Sequence, residues 1–182
     1  KIMPLKVLDA QGGGYTSDAV EAIYYAVDMG ARVMNHSWGG GAYSKSLSDA
    51  FTAAQTADVV MVVAAGNDGK NIDTSSSYPA SLTQSNIISV AATTASDGRA
   101  SFSNYGSVGV DLGAPGNSIL SCIPGNGYAS FSGTSMASPH VAGAASLLLA
   151  ADSTLSAAQV KELILDSTVA VSALSGKSVS GG

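Results

Sequence analysis

A serine hydroxyl and a side-chain amide occupy positions where together they can stabilise a negatively charged oxygen. Ser135 lies at the predicted start of a long apolar helix, and Asn67 follows an apolar strand and Gly66. Free N–H groups and the positive dipole end at a helix start favour negative charge. A hydroxyl that attacks a carbonyl carbon creates an oxyanion, which the Ser135 N–H and an amide such as that of Asn67 can bind. The pair is typical of acyl transfer, whereas a serine before a helix is by itself an ordinary cap.

Three stretches follow predicted strands and are expected at one edge of a parallel sheet. They are Gly12, Gly13 and Gly14; Ser37, Trp38 and Gly39; and Ala64, Ala65 and Gly66. Ligands of open α/β sheets bind beyond the carboxyl ends of the strands. Glycines there let another backbone approach closely, so an extended peptide can pair with the edge as an added strand. Each stretch alone is equally typical of a turn.

Hydrophobic patterning predicts strands that alternate with helices. Expected strands cover residues 5–8, 32–37, 59–65 and 87–92, and expected helices cover about 18–30, 46–57, 135–151 and the residues after Ser156. The run 59–65 is apolar without alternation, as in a strand buried on both faces of a parallel sheet. Ser17 or Asp18 with Glu21, and Ser156 with Gln159, have the spacing of a helix cap. The order predicts an α/β fold with an open, mostly parallel, twisted sheet flanked by helices.

Composition limits the function classes. The chain has 182 residues, 46% hydrophobic and 12% charged, with a net charge of −5. These values indicate one well-packed domain and exclude the basic footprint of a nucleic-acid-binding protein. No apolar run is long enough to span a bilayer, so no membrane partner is expected. The one cysteine, Cys122, lies in an apolar stretch and is expected to be a small buried hydrophobe.

Residues 133–143, Gly-Thr-Ser-Met-Ala-Ser-Pro-His-Val-Ala-Gly, resemble the catalytic-serine signature of the subtilisin-like serine proteases, the subtilases. Other stretches resemble, in the family's order, its substrate-pairing edge strand (5–14), S1 wall (35–40), oxyanion-hole strand (63–67) and two further segments (99–106 and 114–116). The resemblance covers nearly all of the chain. It implies a serine endopeptidase that works through an acyl-enzyme, with Ser135 as nucleophile and Asn67 in the oxyanion hole. It also implies that the nine residues of the three edge stretches, Gly12, Gly13, Gly14, Ser37, Trp38, Gly39, Ala64, Ala65 and Gly66, bind substrate.

The resemblance also implies that part of the catalytic triad is missing. In the family an aspartate motif and a histidine motif precede the serine, and residues 1–182 contain neither. We interpret residues 1–182 as a partial peptidase domain, incomplete at both ends and inactive unless complemented by a segment with Asp and His. His140 lies about 140° around the helix from Ser135 and is expected to point into the fold. His36 is expected to face away from its strand neighbour Ser37.

The implied chemistry requires no cofactor. The resemblance implies a possible structural Ca²⁺ or Na⁺ near Ala80 and Asp111, since carbonyl and carboxylate oxygens suit these ions. The expected partners are a peptide or protein substrate, and a propeptide or the missing amino-terminal segment. Low charge and the lack of a disulfide framework suit a secreted, bacterial enzyme.

Two other functions compete with the peptidase. A non-catalytic, peptide-binding relative would keep the groove, but it predicts decay at Ser135 and Asn67, and both are intact. An α/β nucleotide binder would use the glycines at 12–14, but the chain has no Gly-x-Gly-x-x-Gly there.

Overall fold

The computed structural model describes residues 1–182, which form four helices and six strands. The helices are α1 (Thr16–Asp28), α2 (Lys45–Thr56), α3 (Thr134–Ala151) and α4 (Ala157–Asp166). The strands are β1 (Val33–His36), β2 (Val60–Ala64), β3 (Ile87–Thr93), β4 (Leu112–Pro115), β5 (Ile119–Ile123) and β6 (Gly127–Phe131).

The first four strands form one parallel sheet in the order β1-β2-β3-β4. In register, His36 lies beside Val63 and Ala64 lies beside Val90. The carboxyl ends of β1, β2 and β3 therefore reach the same edge of the sheet. The strands β5 and β6 form a separate antiparallel hairpin. The predicted α/β fold with a parallel sheet flanked by helices is confirmed.

Helices cover both faces of the sheet because alternate side chains of each strand point to opposite sides. Met61 and Val63 belong to the core under α1 and α2, whereas Val60 and Val62 belong to the core under α3 and α4. Every residue of β2 is buried, which confirms the interpretation of the unbroken apolar run. None of the four helices combines the length and hydropathy needed to cross a membrane.

Local capping signals succeed at one helix and fail at another. The Ser156 hydroxyl accepts from the Gln159 N–H at 3.3 Å, and Gln159 Oε1 accepts from the Ser156 N–H at 2.9 Å, which confirms the capping box of α4. The predicted cap of α1 is wrong. That helix begins at Thr16, with Tyr15 at its N-cap and no side-chain cap, so Ser17 and Asp18 lie inside the first turn. The Ser17 hydroxyl donates to Asp18 instead.

Two further predictions about the surface are wrong. Residues 5–8 form no strand, because no ladder of hydrogen bonds joins them to the open side of the edge strand β1. Cys122 is exposed rather than buried, since the β5–β6 hairpin projects its apolar side chains away from both cores. Leu120 and Tyr128 on the hairpin are likewise 68% and 71% exposed.

Candidate active site

Ser135 lies in the first turn of α3, half-buried, at the edge where β1 and β2 end. In this turn the Thr134 N–H donates to Asn67 and the Met136 N–H donates to the Gly133 carbonyl. The Ser135 N–H has no acceptor within the chain. It is therefore free to donate to a ligand oxygen, at the positive end of an 18-residue helix.

Asn67 faces this helix start from the loop that follows β2. Its Oδ1 accepts from the Thr134 N–H at 2.8 Å and from the Thr134 hydroxyl at 3.0 Å. Because Oδ1 takes both donors, the orientation of the amide is set and its Nδ2 is left without an acceptor in the chain. Nδ2 lies 3.5 Å from the place where a Cβ on Gly133 would stand. The bare Gly133 Cα thus keeps the space in front of the amide open.

Thr134 links the start of α3 to the loop that carries Gly66 and Asn67. It is fully buried, and its hydroxyl donates to Asn67 Oδ1 while accepting from the Gly66 N–H at 3.1 Å. Thr134 was not among the predicted site residues, although it stands between Gly133 and Ser135 in the motif. Its position next to Ser135 was the one signal in the sequence, and its bonds to Asn67 and Gly66 follow only from the fold.

Ser37 connects the end of β1 to the serine helix. Its hydroxyl donates to the Ser135 carbonyl at 2.8 Å. An α-helix would normally satisfy that carbonyl with the N–H four residues on, but this residue is Pro139, which has no N–H. Asn35 Nδ2 donates to the Ser37 hydroxyl oxygen at 2.8 Å, and Ser138 Oγ lies 3.0 Å from it. The serine turn is therefore held by the residue that follows β1, which lies 98 positions earlier in the sequence.

The other residues of the predicted substrate wall differ in what they offer. Trp38 packs edge-on against the buried His36 ring, with 5.5 Å between ring centroids. A Cβ on Gly39 would lie only 3.2 Å from the Tyr78 carbonyl oxygen, so the absence of a side chain at Gly39 leaves room for that carbonyl. Ala64 and Ala65 are 5% and 0% exposed, so their methyl groups belong to the core. The exposed or half-exposed parts of this wall are residues 37–40 and 66–67.

The glycines at 12–14 form a separate, exposed turn. The Asp9 N–H donates to the Gly13 carbonyl at 2.7 Å, and Asp9 Oδ1 accepts from the Gly13 N–H at 2.9 Å. Gly13 and Gly14 line a shallow cavity of about 430 Å³ together with residues 6–9. No hydrogen bond joins Gly12, Gly13 or Gly14 to the serine turn. These glycines therefore have no direct bond to the serine turn, and their role in binding substrate stays a prediction.

Neither histidine hydrogen-bonds to Ser135. His36 is buried between Trp38 and Phe51, and burial lowers the pKa of its imidazole to about 4. It faces away from Ser37, as expected. The prediction that His140 points into the fold is wrong. His140 is exposed, because its ring folds back along the helix and its Nδ1 meets the Met136 carbonyl at 2.8 Å.

The residues at the suggested cation site do not fit an ion. Asp111 Oδ1 pairs with the Lys161 ammonium at 2.8 Å, and Oδ2 accepts from the Ser89 N–H at 2.7 Å. Both oxygens therefore have protein partners, and a cation would stand next to the lysine charge. Ala80 is buried in the core under α1 and α2. No group of three His, Cys, Asp or Glu side chains is arranged to hold a metal.

Comparison with known proteins finds relatives along nearly the whole chain. The model of the subtilase family matches residues 1–181. The chain is 44% identical over 176 residues to subtilisin-like serine protease Pen ch 13 of Penicillium rubens, covering 91% of this chain and 43% of that protein. It is 47% identical over 147 residues to thermitase of Thermoactinomyces vulgaris, covering 81% of this chain and 50% of that protein. The chain thus spans half or less of these relatives' lengths.

A solved structure shows the same architecture. The crystal structure of a cold-adapted subtilisin-like serine proteinase superimposes with a TM-score of 0.87 at 37% identity, covering 95% of this chain and 63% of that chain. The match extends beyond the serine turn to the sheet and its flanking helices. By sequence and by fold, the chain belongs to the subtilase family.

Proposed function

We propose that the protein is a serine endopeptidase in which Ser135 attacks the scissile carbonyl of a peptide. The main support is that two hydrogen-bond donors at this site, the Ser135 N–H and the Asn67 amide Nδ2, have no acceptor within the chain. Both donors belong to groups whose positions are set by other bonds. Donors that need no reorganisation as charge develops are the most effective electrostatic stabilisers of a transition state.

The proposed reaction has two halves. Ser135 Oγ bonds to the carbonyl carbon while a base takes its proton, and the carbonyl oxygen becomes an oxyanion between the two donors. The C–N bond then breaks, the amine leaves with a proton, and an acyl-serine remains. Water attacks that ester by the same route, releasing the acid and restoring the Ser135 hydroxyl.

The base is proposed to come from a His–Asp pair outside residues 1–182. A serine without a base is a weak nucleophile, and the chain's own histidines are a buried ring with a lowered pKa and a surface ring tied to its helix. The matched relatives are at least twice as long as the aligned part. Substrate is proposed to lie along residues 37–40 and 66–67, with the 12–14 turn as the outer flank.

We further propose that the protein acts outside the cell, on peptide or protein substrates. The single thiol and the low charge agree with this location. Relatives from a fungus and a bacterium match about equally well, so similarity does not select the bacterial source suggested by composition.

A mass measurement tests this function. The full-length protein and residues 1–182 alone are each treated with a fluorophosphonate, and intact mass is recorded before and after. We expect one label on the full-length protein, none on its Ser135→Ala variant, and slow or no labelling of residues 1–182. A folded full-length protein that takes no label at Ser135 contradicts the peptidase and supports the non-catalytic peptide binder.

A further inference from the structure

Asn104 is a buried amide in the loop between β3 and β4, and its side chain bonds to the loop that carries Asn67. It is 0% exposed. Its Nδ2 donates to the Ala65 carbonyl at 2.9 Å, and its Oδ1 accepts from the N–H groups of Asp68 at 3.0 Å and Lys70 at 3.1 Å. One side chain therefore holds the chain on both sides of Asn67.

The backbone of Asn104 adds to this contact. Its N–H donates to the Gly66 carbonyl at 2.9 Å. Gly66 has a φ of 104°, and a Cβ there would overlap Asn104 Nδ2. The Asn104 amide thus lies directly against the backbone of the residue before Asn67. Asn104 thus bonds to the sharp turn from β2 into the Asn67 loop through both its side chain and its main chain, while the Thr134 hydroxyl accepts from the Gly66 N–H on the other side.

The loop has other attachments that do not depend on the Asn104 side chain. The Gly69 N–H donates to the Phe102 carbonyl at 2.7 Å, and the Tyr105 N–H donates to the Lys70 carbonyl at 3.1 Å. Residues 69–70 therefore stay attached to residues 102–105 if the amide is removed. The groups that lose a partner are the Ala65 carbonyl and the N–H groups of Asp68 and Lys70, on either side of Asn67. Gly66 keeps its bonds to the Asn104 N–H and the Thr134 hydroxyl.

We propose that Asn104 is a positioning residue for the oxyanion hole, acting through the backbone of residues 65–68 on the Asn67 amide. This inference rests on the proposed function. Thr134 holds the side chain of Asn67, and Asn104 holds the main chain of its neighbours on both sides, so loss of either anchor lets Nδ2 leave the line of the developing oxyanion. Catalytic hydrogen bonds tolerate displacements of only about 0.5 Å. The effect should fall on kcat and leave KM nearly unchanged, because the oxyanion forms only in the transition state.

A set of variants in the full-length protein tests this. Asn104→Ala is compared with Asn104→Asp, which retains an acceptor for the Asp68 and Lys70 N–H groups. The matched control is Asn86→Ala, because Asn86 is also buried and also donates to a backbone carbonyl, that of Val59, near the opposite end of β2. We expect kcat to fall about tenfold or more in Asn104→Ala, less in Asn104→Asp, and little in Asn86→Ala.

A double variant distinguishes this inference from the proposed function. If Asn104 acts through Asn67, then Asn104→Ala lowers kcat in the parent but not in an Asn67→Ala background. An equal loss in both backgrounds, or an equal loss in Asn86→Ala, overturns the positioning role. If Asn67→Ala itself leaves kcat unchanged, the proposed function fails instead, and the inference fails with it.

Hydrogen exchange supplies a readout that needs no activity. In Asn104→Ala, the Asp68 amide should exchange faster while the amides of β2 and β3 keep their protection. Unchanged protection at Asp68 overturns the proposal. Where Asn104→Ala does not fold, the same decision rests on Asn104→Asp, in which Asp68 should stay protected while loss of the donor to the Ala65 carbonyl still lowers kcat.

Discussion

The serine turn and the glycine turn at 12–14 were predicted from the same kind of evidence, yet the structure treats them very differently. The serine turn is bonded to residues far away in the chain: Thr134 to Asn67 across 67 positions and Ser37 to the Ser135 carbonyl across 98. The glycine turn bonds only within itself, between Asp9 and residues 11–13.

This difference shows what a preorganised site requires beyond suitable residues. A group keeps its direction when its neighbours are held by several independent bonds, as Asn67 is. Most of the amino-terminal segment is exposed, and Ile2 is 95% exposed. It forms no ladder with the sheet, so only the hydrogen bonds within the turn hold its glycines.

The largest expected effect comes from removing the amide donor of Asn67, which faces the serine turn. Asn67→Ala should lower kcat by about 10²–10³-fold, the loss known for the oxyanion asparagine of subtilisin, a member of the same family. Asn67→Asp should lose at least as much, because it can keep the acceptor for Thr134 but offers no N–H and adds negative charge. Steady-state kinetics of the full-length protein measure this, and an active Asn67→Asp variant would contradict the role of Nδ2.

The stability of the folded protein should decrease in acid because of His36, which is buried against Trp38. Burial lowers the pKa of His36 from 6.5 to about 4, so between these values the unfolded chain binds a proton that the folded protein excludes. Stability is therefore full above pH 6.5 and falls as the pH drops toward 4, by about 3 kcal/mol from this group. Urea unfolding at pH 7 and pH 4.5 measures it.

The control for this pH dependence is His36→Phe, which retains a ring against Trp38 and Phe51. The loss of stability between the two pH values should be smaller in the variant, since the remaining carboxylates titrate in both proteins. Equal losses in variant and parent would show that His36 does not carry the effect.

Substitutions in the glycine turn should have smaller effects, and of Gly13 and Gly14 only Gly14 should be sensitive. A Cβ on Gly14 would overlap the Val7 carbonyl, whereas a Cβ on Gly13 would stand 3.5 Å from Asp9 Oδ2, an ordinary contact. Gly14→Ala should destabilise the segment by about 1 kcal/mol and raise KM, while Gly13→Ala should change neither. Hydrogen exchange of residues 7–15 and peptide kinetics test this pair. Equal effects of the two variants would count against the close approach at Gly14.

The smallest effect is expected on the β5–β6 hairpin, far from both cores. Leu120→Ser should change the free energy of unfolding by no more than about 0.5 kcal/mol, because the side chain is already in water. Leu174→Ala is the contrast, since Leu174 is 0% exposed and its truncation should cost about 2–5 kcal/mol. A large loss in Leu120→Ser, measured by urea unfolding, would reveal that the hairpin face is covered in solution.

Two predictions that rest on local chemistry agree with the structure, although the local cap predicted at Ser17 or Asp18 does not. The unbroken apolar run became β2, buried on both faces, and the Ser156–Gln159 spacing became a capping box. Predictions that needed a partner elsewhere failed. Residues 5–8 have the composition of a strand but form no ladder with the open side of β1, and Cys122 has an apolar neighbourhood in sequence but no helix above it in space.

The same division holds within the site. The sequence by itself determined the fold class, the family and the two groups with the right chemistry, Ser135 and Asn67, because motifs and hydrophobic periods are properties of short stretches. Only the tertiary structure decided that Thr134 and Asn104 hold Asn67 from two sides and that His140 turns to the surface. The bonds of Thr134 and Asn104 join residues tens of positions apart, and no local pattern encodes which distant donor meets which acceptor. The His140 ring bonds only four positions back, to Met136, and its exposure depends on which side of α3 the rest of the fold covers.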